Sequence, residues 1–375
     1  MYYPFQGIPK AAWKVIVQTE KPMTEWKIYL DLNTGKVLYK VNQLKSIKGR
    51  GKVFDPNPVT TLNNTRLEDN SPIPNDAYKS VVLIGLKNNG KLDGPYINTS
   101  TTSNRINSSN HEFVFSRDNR AFKEVMVYYH IDNVQRYIQG LGFDNVMNKS
   151  IAVNIDGRND DNSHYSPAEK SLTFGTGGID DAEDGEIILH EYGHAILDNQ
   201  VPGFGESAEA AAISEAFGDY IAASFFADIK PVQLRPTIGN WDAVAYSGDE
   251  PPCLRRLDSN KKYPRDLTHE EHNDGEIWSA CLWKLRETVG KKAADQLIIA
   301  NHFLITRFAS FKQTAEALIL TDRKLNQGRN KEIVRDIFIR RGILPNLRRK
   351  NKRAGIPYSE IIQVKNKKMK NNSKK

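Results

Sequence analysis

His190-Glu191-Tyr192-Gly193-His194 decides how this chain is read. Two histidines four apart on a helix share one face, about 5–6 Å from each other. Each imidazole can then give a nitrogen to one zinc ion at roughly 2.0–2.1 Å. Glu191, one position on from His190, points differently and can meet the attacking water instead of the ion. The flanks predict a helix over about 181–198. Asp180 and Asp181 offer N-caps, Glu183 and Asp184 suit a first turn, and Ile187, Ile188 and Ile196 are apolar.

Downstream, Ser214-Glu-Ala-Phe-Gly-Asp219 lies in a second expected helix, Ala208 to about Ser224. Glu215 can complete a two-histidine, one-glutamate metal set that leaves a fourth position to water. Asp219, one turn on, can accept the spare N–H of a ligating histidine and fix its tautomer. Met alone, the two acids would be no more than the polar face of a surface helix. The neighbours Ala211, Ala212, Ala216 and Gly218 are small, as close packing of two helices requires. A third element, His272-Asn-Asp-Gly-Glu-Ile-Trp278, sets His272 before a turn and an apolar helix start. An isolated histidine there would be structural; beside a metal motif it is the candidate for steadying an oxyanion.

Away from these motifs the chain changes character twice. Residues 12–45 alternate with period two in Trp13-Lys-Val-Ile-Val and Trp26-Lys-Ile-Tyr-Leu-Asp, with Asn33-Thr-Gly35 as a turn into Lys36-Val-Leu-Tyr-Lys-Val. Both tryptophans are expected to need burial. Lys45-Ser-Ile-Lys-Gly-Arg-Gly-Lys52 reads as a linker or exposed processing site. Residues 53–115, rich in Asn, Pro, Thr and Ser, predict short strands and long loops. Asp118 can cap a helix that runs to about Gly140, and strands are expected at Ile151–Ile155 and Ser171–Gly175. Beyond Asp180 the pattern is mostly helical, with a last helix near Asn330–Arg341. The expected class is α+β. A β-rich lobe extends to about residue 180, a helical lobe spans about 200–345, and the motif helix floors the cleft between them.

At 375 residues, 39% hydrophobic and 26% charged, the chain is neither disordered nor a disulfide-held miniature. No run of eighteen apolar residues suggests a membrane span, and Met1-Tyr-Tyr-Pro-Phe lacks the pattern of a signal peptide. The net charge of +8 is concentrated at one end. Residues 346–375 hold eleven Lys and Arg against Glu360 alone, a net +10, so residues 1–345 sum to −2. Such a charge run without aromatic interleaving is a solvated end before it is a nucleic-acid tether, and no nucleic-acid partner is expected. Cys253 and Cys281 fit one disulfide or two buried thiols equally well.

The order His-Glu-x-x-His, then Glu-Ala-x-x-Asp, then a late His before Gly resembles thermolysin-type gluzincin metallopeptidases. Closer still is the bacterial branch of the fungalysin family, through Gly175-Thr-Gly-Gly-Ile-Asp-Asp-Ala-Glu-Asp184, His190–Ala195, Glu215-Ala-Phe-Gly-Asp-Tyr220 and His272–Trp278. The resemblance covers about residues 49–345 and implies a two-lobed zincin fold and a zinc endopeptidase acting on polypeptides, secreted and monomeric. It assigns His190, His194 and Glu215 as ligands, Glu191 as general base, His272 as oxyanion helper and Asp219 as support behind a ligand. It also makes Asn162 and Ser163, in Asn162-Ser-His-Tyr165, part of an edge that holds extended substrate by strand addition. Arg255, with Arg256 as a rival, would bind a substrate carbonyl.

Residues 1–48 resemble the end of a PepSY/FTP-type propeptide with its linker. The remainder then divides into 49–200, 201–345 and the tail 346–375. Two departures stand out. Where relatives carry a transition-state tyrosine this chain has Glu206, leaving Tyr165 and Tyr220 as substitutes. Calcium is possible but unsupported, since a helix N-terminus already explains Asp180, Asp181, Glu183 and Asp184. No Gly-x-Met-Glu-Asn exopeptidase motif precedes His190. The remaining alternative is a catalytically silent zincin-fold binding protein, against which the intact Glu191 speaks.

Overall fold

A computed structural model describes residues 2–5, 8–20, 23–42 and 47–346. The tail from 347 onward, the expected linker's first residues 45 and 46, and the expectations placed on them lie outside the described residues. The chain is α+β, with a strand-rich first part and a helical second part.

Four strands open it: β1 (Tyr2–Phe5), β2 (Ile8–Glu20), β3 (Met23–Asp31) and β4 (Val37–Asn42) form one antiparallel meander. The β3–β4 turn is the one read from Asn33-Thr-Gly35. Asp31 Oδ1 accepts from the amides of Asn33 (3.0 Å) and Thr34 (2.9 Å), and Gly35 takes φ +67°. Period-two alternation splits the sheet into two faces. Ala12, Tyr29 and Asp31 are buried on one. Trp13 falls on the other and is 63% exposed, which corrects the expectation that it needed burial. Trp26 is half-buried, with Lys40 Nζ 4.0 Å from its ring centroid.

The supposed linker is corrected as well. β5 (Ile47–Val53) is the central strand of a second sheet, between antiparallel β6 (Lys79–Leu86) and parallel β8 (Glu112–Phe113). Its glycines answer to crowding. A Cβ on Gly51 would stand 2.8 Å from Val125, and one on Gly49 2.8 Å from the His111 carbonyl. A third sheet, in the order β10 (His164–Ser166), β11 (Ser171–Thr173), β9 (Ile151–Asn154), β7 (Ile97–Asn98), leaves β10 at its edge.

Helices α1 (Pro58–Leu62) and α2 (Ala121–Gly140) lie within this strand-rich part. α2 buries Phe122, Val125, Met126, Ile131, Val134 and Ile138 at helical spacing against the core. Its first amide, of Ala121, is satisfied by Asn119 Oδ1 at 2.9 Å, not by Asp118. Then follow α3 (Gly185–Gln200), α4 (Ala208–Phe226), the short pair β12 (Thr237–Ile238) and β13 (Arg255–Arg256), and α5 (Glu271–Val289). α6 (Lys291–Asn301), α7 (Phe311–Asn326) and α8 (Lys331–Arg341) complete the helical part. Cys253 and Cys281 are two buried free thiols; Cys281 donates to the Ile277 carbonyl at 3.4 Å, within α5.

α3 and α4 approach closely because glycines face each other: a Cβ on Gly193 would sit 2.8 Å from Gly218 Cα. Their shared base is held by a buried ion pair. Lys230 Nζ bonds Glu186, in the first turn of α3, and donates to the Thr237 carbonyl at 2.6 Å; neither charged side chain is exposed. Lys230→Met leaves Glu186 charged and unpaired in the interior, so it should cost about 3–5 kcal/mol. Replacing both partners by apolar residues should recover most of that loss. Urea midpoints at unchanged slope measure both effects.

Candidate metal centre and cleft

Four acids precede α3, and the structure chooses among them. Asp184 is the N-cap: its Oδ1 accepts from the Glu186 amide (2.8 Å), and its Oδ2 from the Trp241 amide (3.1 Å). Asp180 and Asp181, the expected caps, are engaged elsewhere. Asp180 pairs with Lys123 at 2.6 Å, and Asp181 accepts from Ser163. The helix therefore starts at Gly185 and runs to Gln200, later at both ends than expected.

One turn apart on α3, His190 and His194 bring their Nε2 atoms to 3.2 Å. Glu215, from α4, places Oε2 3.3 Å from His190 Nε2 and Oε1 3.5 Å from His194 Nε2. Donors 2.0–2.1 Å from one tetrahedral zinc stand about 3.3–3.4 Å apart, so these spacings fit that ion. Glu215 Oε2 is buried and makes no well-formed hydrogen bond, although imidazole nitrogens of His190 and His272 stand 3.2–3.3 Å away, as around a shared ion. Two imidazoles and one carboxylate are a zinc-type donor set that leaves a position open. Glu191 lies with both histidines in a group whose ligand atoms are within 4.8 Å of one another, and its Oε2 is also buried and unpartnered.

Both histidines are braced from behind. Asp219 Oδ1 lies 2.9 Å from His190 Nδ1, and Ser214 Oγ lies 2.9 Å from His194 Nδ1. Arg255 grips Asp219 with two bonds, Nε to Oδ2 (2.8 Å) and Nη2 to Oδ1 (2.7 Å). Arg256, its rival, pairs instead with Asp258 at 2.9 Å. His272 reaches Glu215 Oε2 with Nε2 at 3.2 Å, while its Nδ1 meets Glu270 Oε1 at 2.6 Å. Glu270 caps α5 through the amides of His272 and Asn273. His272 thus sits inside the first turn of α5, not ahead of a turn as its sequence suggested. Gly275 makes that seat possible, since a Cβ there would lie 3.1 Å from the Ala212 carbonyl of α4.

Charges in the cluster work against burial. Burial alone would depress His190, but the Asp219 and Glu215 carboxylates raise it to about 10. For His194 burial outweighs the Glu215 charge, and it falls to about 4. Burial also opposes ionisation of Glu215, yet His194, His190 and His272 hold it well below the usual carboxylate range. For Glu191, burial dominates and the Glu215 and Asp181 charges add to it, bringing it to about 7.

The cluster opens into a cleft of about 330 Å³. One wall is the 162–165 edge, and His190, Glu191, His194, Glu215 and His272 face it. Asn162 is exposed there. Ser163 lines the cleft and turns its hydroxyl back onto Asp181. Tyr165 lines the cleft with its hydroxyl on Asp198 at 2.8 Å. Tyr220 is fully buried and donates to Asp295 at 2.6 Å, which removes it as a substitute for the missing tyrosine. Glu206 pairs with Arg307 at 3.0 Å. Ser214 and Glu270 went unnoticed in the sequence; adjacency to Glu215 was the sole hint for the first, and the cap of α5 explains the second.

No helix among the described residues is long and apolar enough to cross a membrane. Comparison with known proteins finds one family model, that of fungalysin metallopeptidases (M36), over residues 132–346. Extracellular metalloproteinase 2 of Trichophyton tonsurans is 25% identical over 192 residues, 43% of this chain and 30% of that protein. Its namesake in Arthroderma benhamiae gives the same figures. Extracellular metalloproteinase 3 of Arthroderma otae is 24% identical over 191 residues, 42% of this chain and 30% of its own length. The chain thus matches less than a third of the length of these curated relatives.

Proposed function

The chain belongs to the fungalysin metallopeptidase (M36) family, and we propose that it is a zinc-dependent endopeptidase of gluzincin type. The observation that carries this reading is the convergence of His190, His194 and Glu215 at 3.2–3.5 Å with the unpartnered Glu191 beside them. Zinc held by those three residues would lower the pKa of water toward 7 and polarise the scissile carbonyl.

The rest falls to the protein. An extended substrate pairs its backbone with the 162–165 edge, Asn162 adding a side-chain contact, which sets the scissile bond across the cleft. Glu191 accepts the proton of the attacking water and passes it to the leaving amine, a task suited to a buried carboxyl with an unpartnered oxygen. His272, 46% exposed at the cleft rim and oriented by Glu270, donates to the carbonyl oxygen as charge grows on it. Asp219 fixes the tautomer of His190, and Arg255, which does not line the cleft, acts through Asp219 by its two bonds. The relatives' names speak of extracellular enzymes, and we place this one outside the cell too, acting as a monomer. The N-terminal sheet, whose described residues before Ile47 are not part of the main core, we read as the end of a propeptide.

A peptide blocked at both ends tests the reading. The chain with one equivalent of zinc should cleave it internally, lose that activity to a chelator, and regain it on zinc addition. Cleavage confined to peptides with a free terminus would reject the endopeptidase, and indifference to the chelator would reject the metal.

A further inference from the structure

Three of the four acids ahead of α3 are accounted for by protein partners; Asp181 takes hydrogen bonds from Ser163 and the Gly175 amide but has no cation beside it. Asp180 has Lys123, Glu183 has Arg117 at 2.9 Å, and Asp184 caps the helix. Asp181 joins two acids distant in sequence. One oxygen each from Asp161, Asp181 and Asp242 lie within 4.8 Å of one another. Among the described residues, no ion pair neutralises any of the three. Asp242 is 3% exposed, and its Oδ1 has no hydrogen-bond partner. Its other oxygen takes the Tyr246 hydroxyl at 2.8 Å. Burial drives the Asp181 carboxyl up to about 6, and burial with the Asp181 charge drives Asp242 well above its usual range. As carboxylates without a counter-charge this buried pair would be costly; either a proton shared between Asp181 and Asp242 or a bound cation removes the cost.

We propose that Asp161, Asp181 and Asp242 hold a second metal ion, a hard divalent cation of the calcium class. The donors are all oxygens, which disfavours zinc, and three carboxylates leave room for the carbonyls and waters that complete a calcium shell. The ion would join three separate segments: the loop leading to the Asn162 edge, the turn before α3, and the turn that begins at Asp242. The first of these has no slack. A Cβ on Gly175 would stand 2.3 Å from the Asp160 carbonyl, and one on Gly177 2.4 Å from the Asp161 amide. Ser163, next to Asn162, is already bonded to Asp181. A cation here would therefore fasten the substrate edge to the base of the metal helix.

Terbium is the probe, because Tyr246 and Trp241 stand beside the site and can sensitise its luminescence. Zinc-loaded full-length protein should bind one terbium ion, calcium should displace it, and millimolar calcium should raise Tm by several degrees. Asp161→Asn, at an exposed position, should weaken terbium binding at least tenfold without altering zinc content. Asp242→Asn should abolish the calcium response while melting no lower than wild type in calcium-free buffer, since it removes a buried charge. A Tm indifferent to calcium with no sensitised emission would overturn the proposal and leave a shared proton between Asp181 and Asp242. Emission that persists unchanged in both variants would overturn it too, by placing the ion elsewhere. Zinc content and peptide cleavage are read separately, so either result leaves the catalytic reading to its own test.

Discussion

Glu191→Gln should keep one zinc per chain and hydrolyse peptide about 10²–10⁴-fold more slowly, the range for losing a positioned general base. The side chains are nearly isosteric, so α3 and the three donors at 3.2–3.5 Å should be undisturbed. The difference is chemical: a carboxylate with a buried, unpartnered Oε2 can take a proton, and an amide cannot. Burial, with the neighbouring acids, raises Glu191 above the usual carboxylate range and makes it the stronger base. The loss should appear in kcat, with KM nearly unchanged, because Glu191 acts on the water and not on the substrate's backbone. Zinc content by atomic absorption is the companion measurement. Should Glu191→Gln lose the ion as completely as a histidine variant, Glu191 is a ligand and its assignment fails.

How far the site could be read without coordinates depended on how local each signal was. His190 and His194 declare themselves through helical spacing, and Glu215 through its own four-residue spacing to Asp219. The braces behind them do not. Arg255 meets Asp219 across 36 residues, and that contact depends on β13 folding back toward α4. The start of α3 was misplaced for a related reason. Four acids fall within five residues, three of them aspartates competent to cap, and tertiary partners such as the Trp241 amide and Asn57 select Asp184. Gly49 and Gly51 among basic residues looked like a hinge, whereas they make room in a central strand. Trp13 was expected inside because large aromatics favour burial. A sheet with one buried face has an outer face as well, and Trp13 is on it. The Asp161, Asp181 and Asp242 group spans 81 residues with no period, so nothing short of the fold could assemble it.

His194→Ala should abolish both zinc retention and activity while leaving the helices in place. With His194 gone, one imidazole and one carboxylate remain, and a two-donor site cannot hold zinc against dialysis at neutral pH as a three-donor site does. The fold should survive, because α3 and α4 are packed through Gly193, Gly218 and the apolar residues around them, independent of the ion. Far-ultraviolet circular dichroism should match wild type, whereas zinc per chain should fall from one to near zero. Glu215→Ala should behave alike, and it also removes the acceptor facing His272 at 3.2 Å. Asp219→Asn provides the graded control: it leaves all three donors but weakens the support of His190, so affinity should drop about 10–100-fold without vanishing. Zinc titration against a competing chelator orders the series. If Asp219→Asn were as severe as His194→Ala, Asp219 would be holding the metal itself. If His194→Ala retained a full equivalent of zinc, the ligand set would have to be sought elsewhere in the cleft.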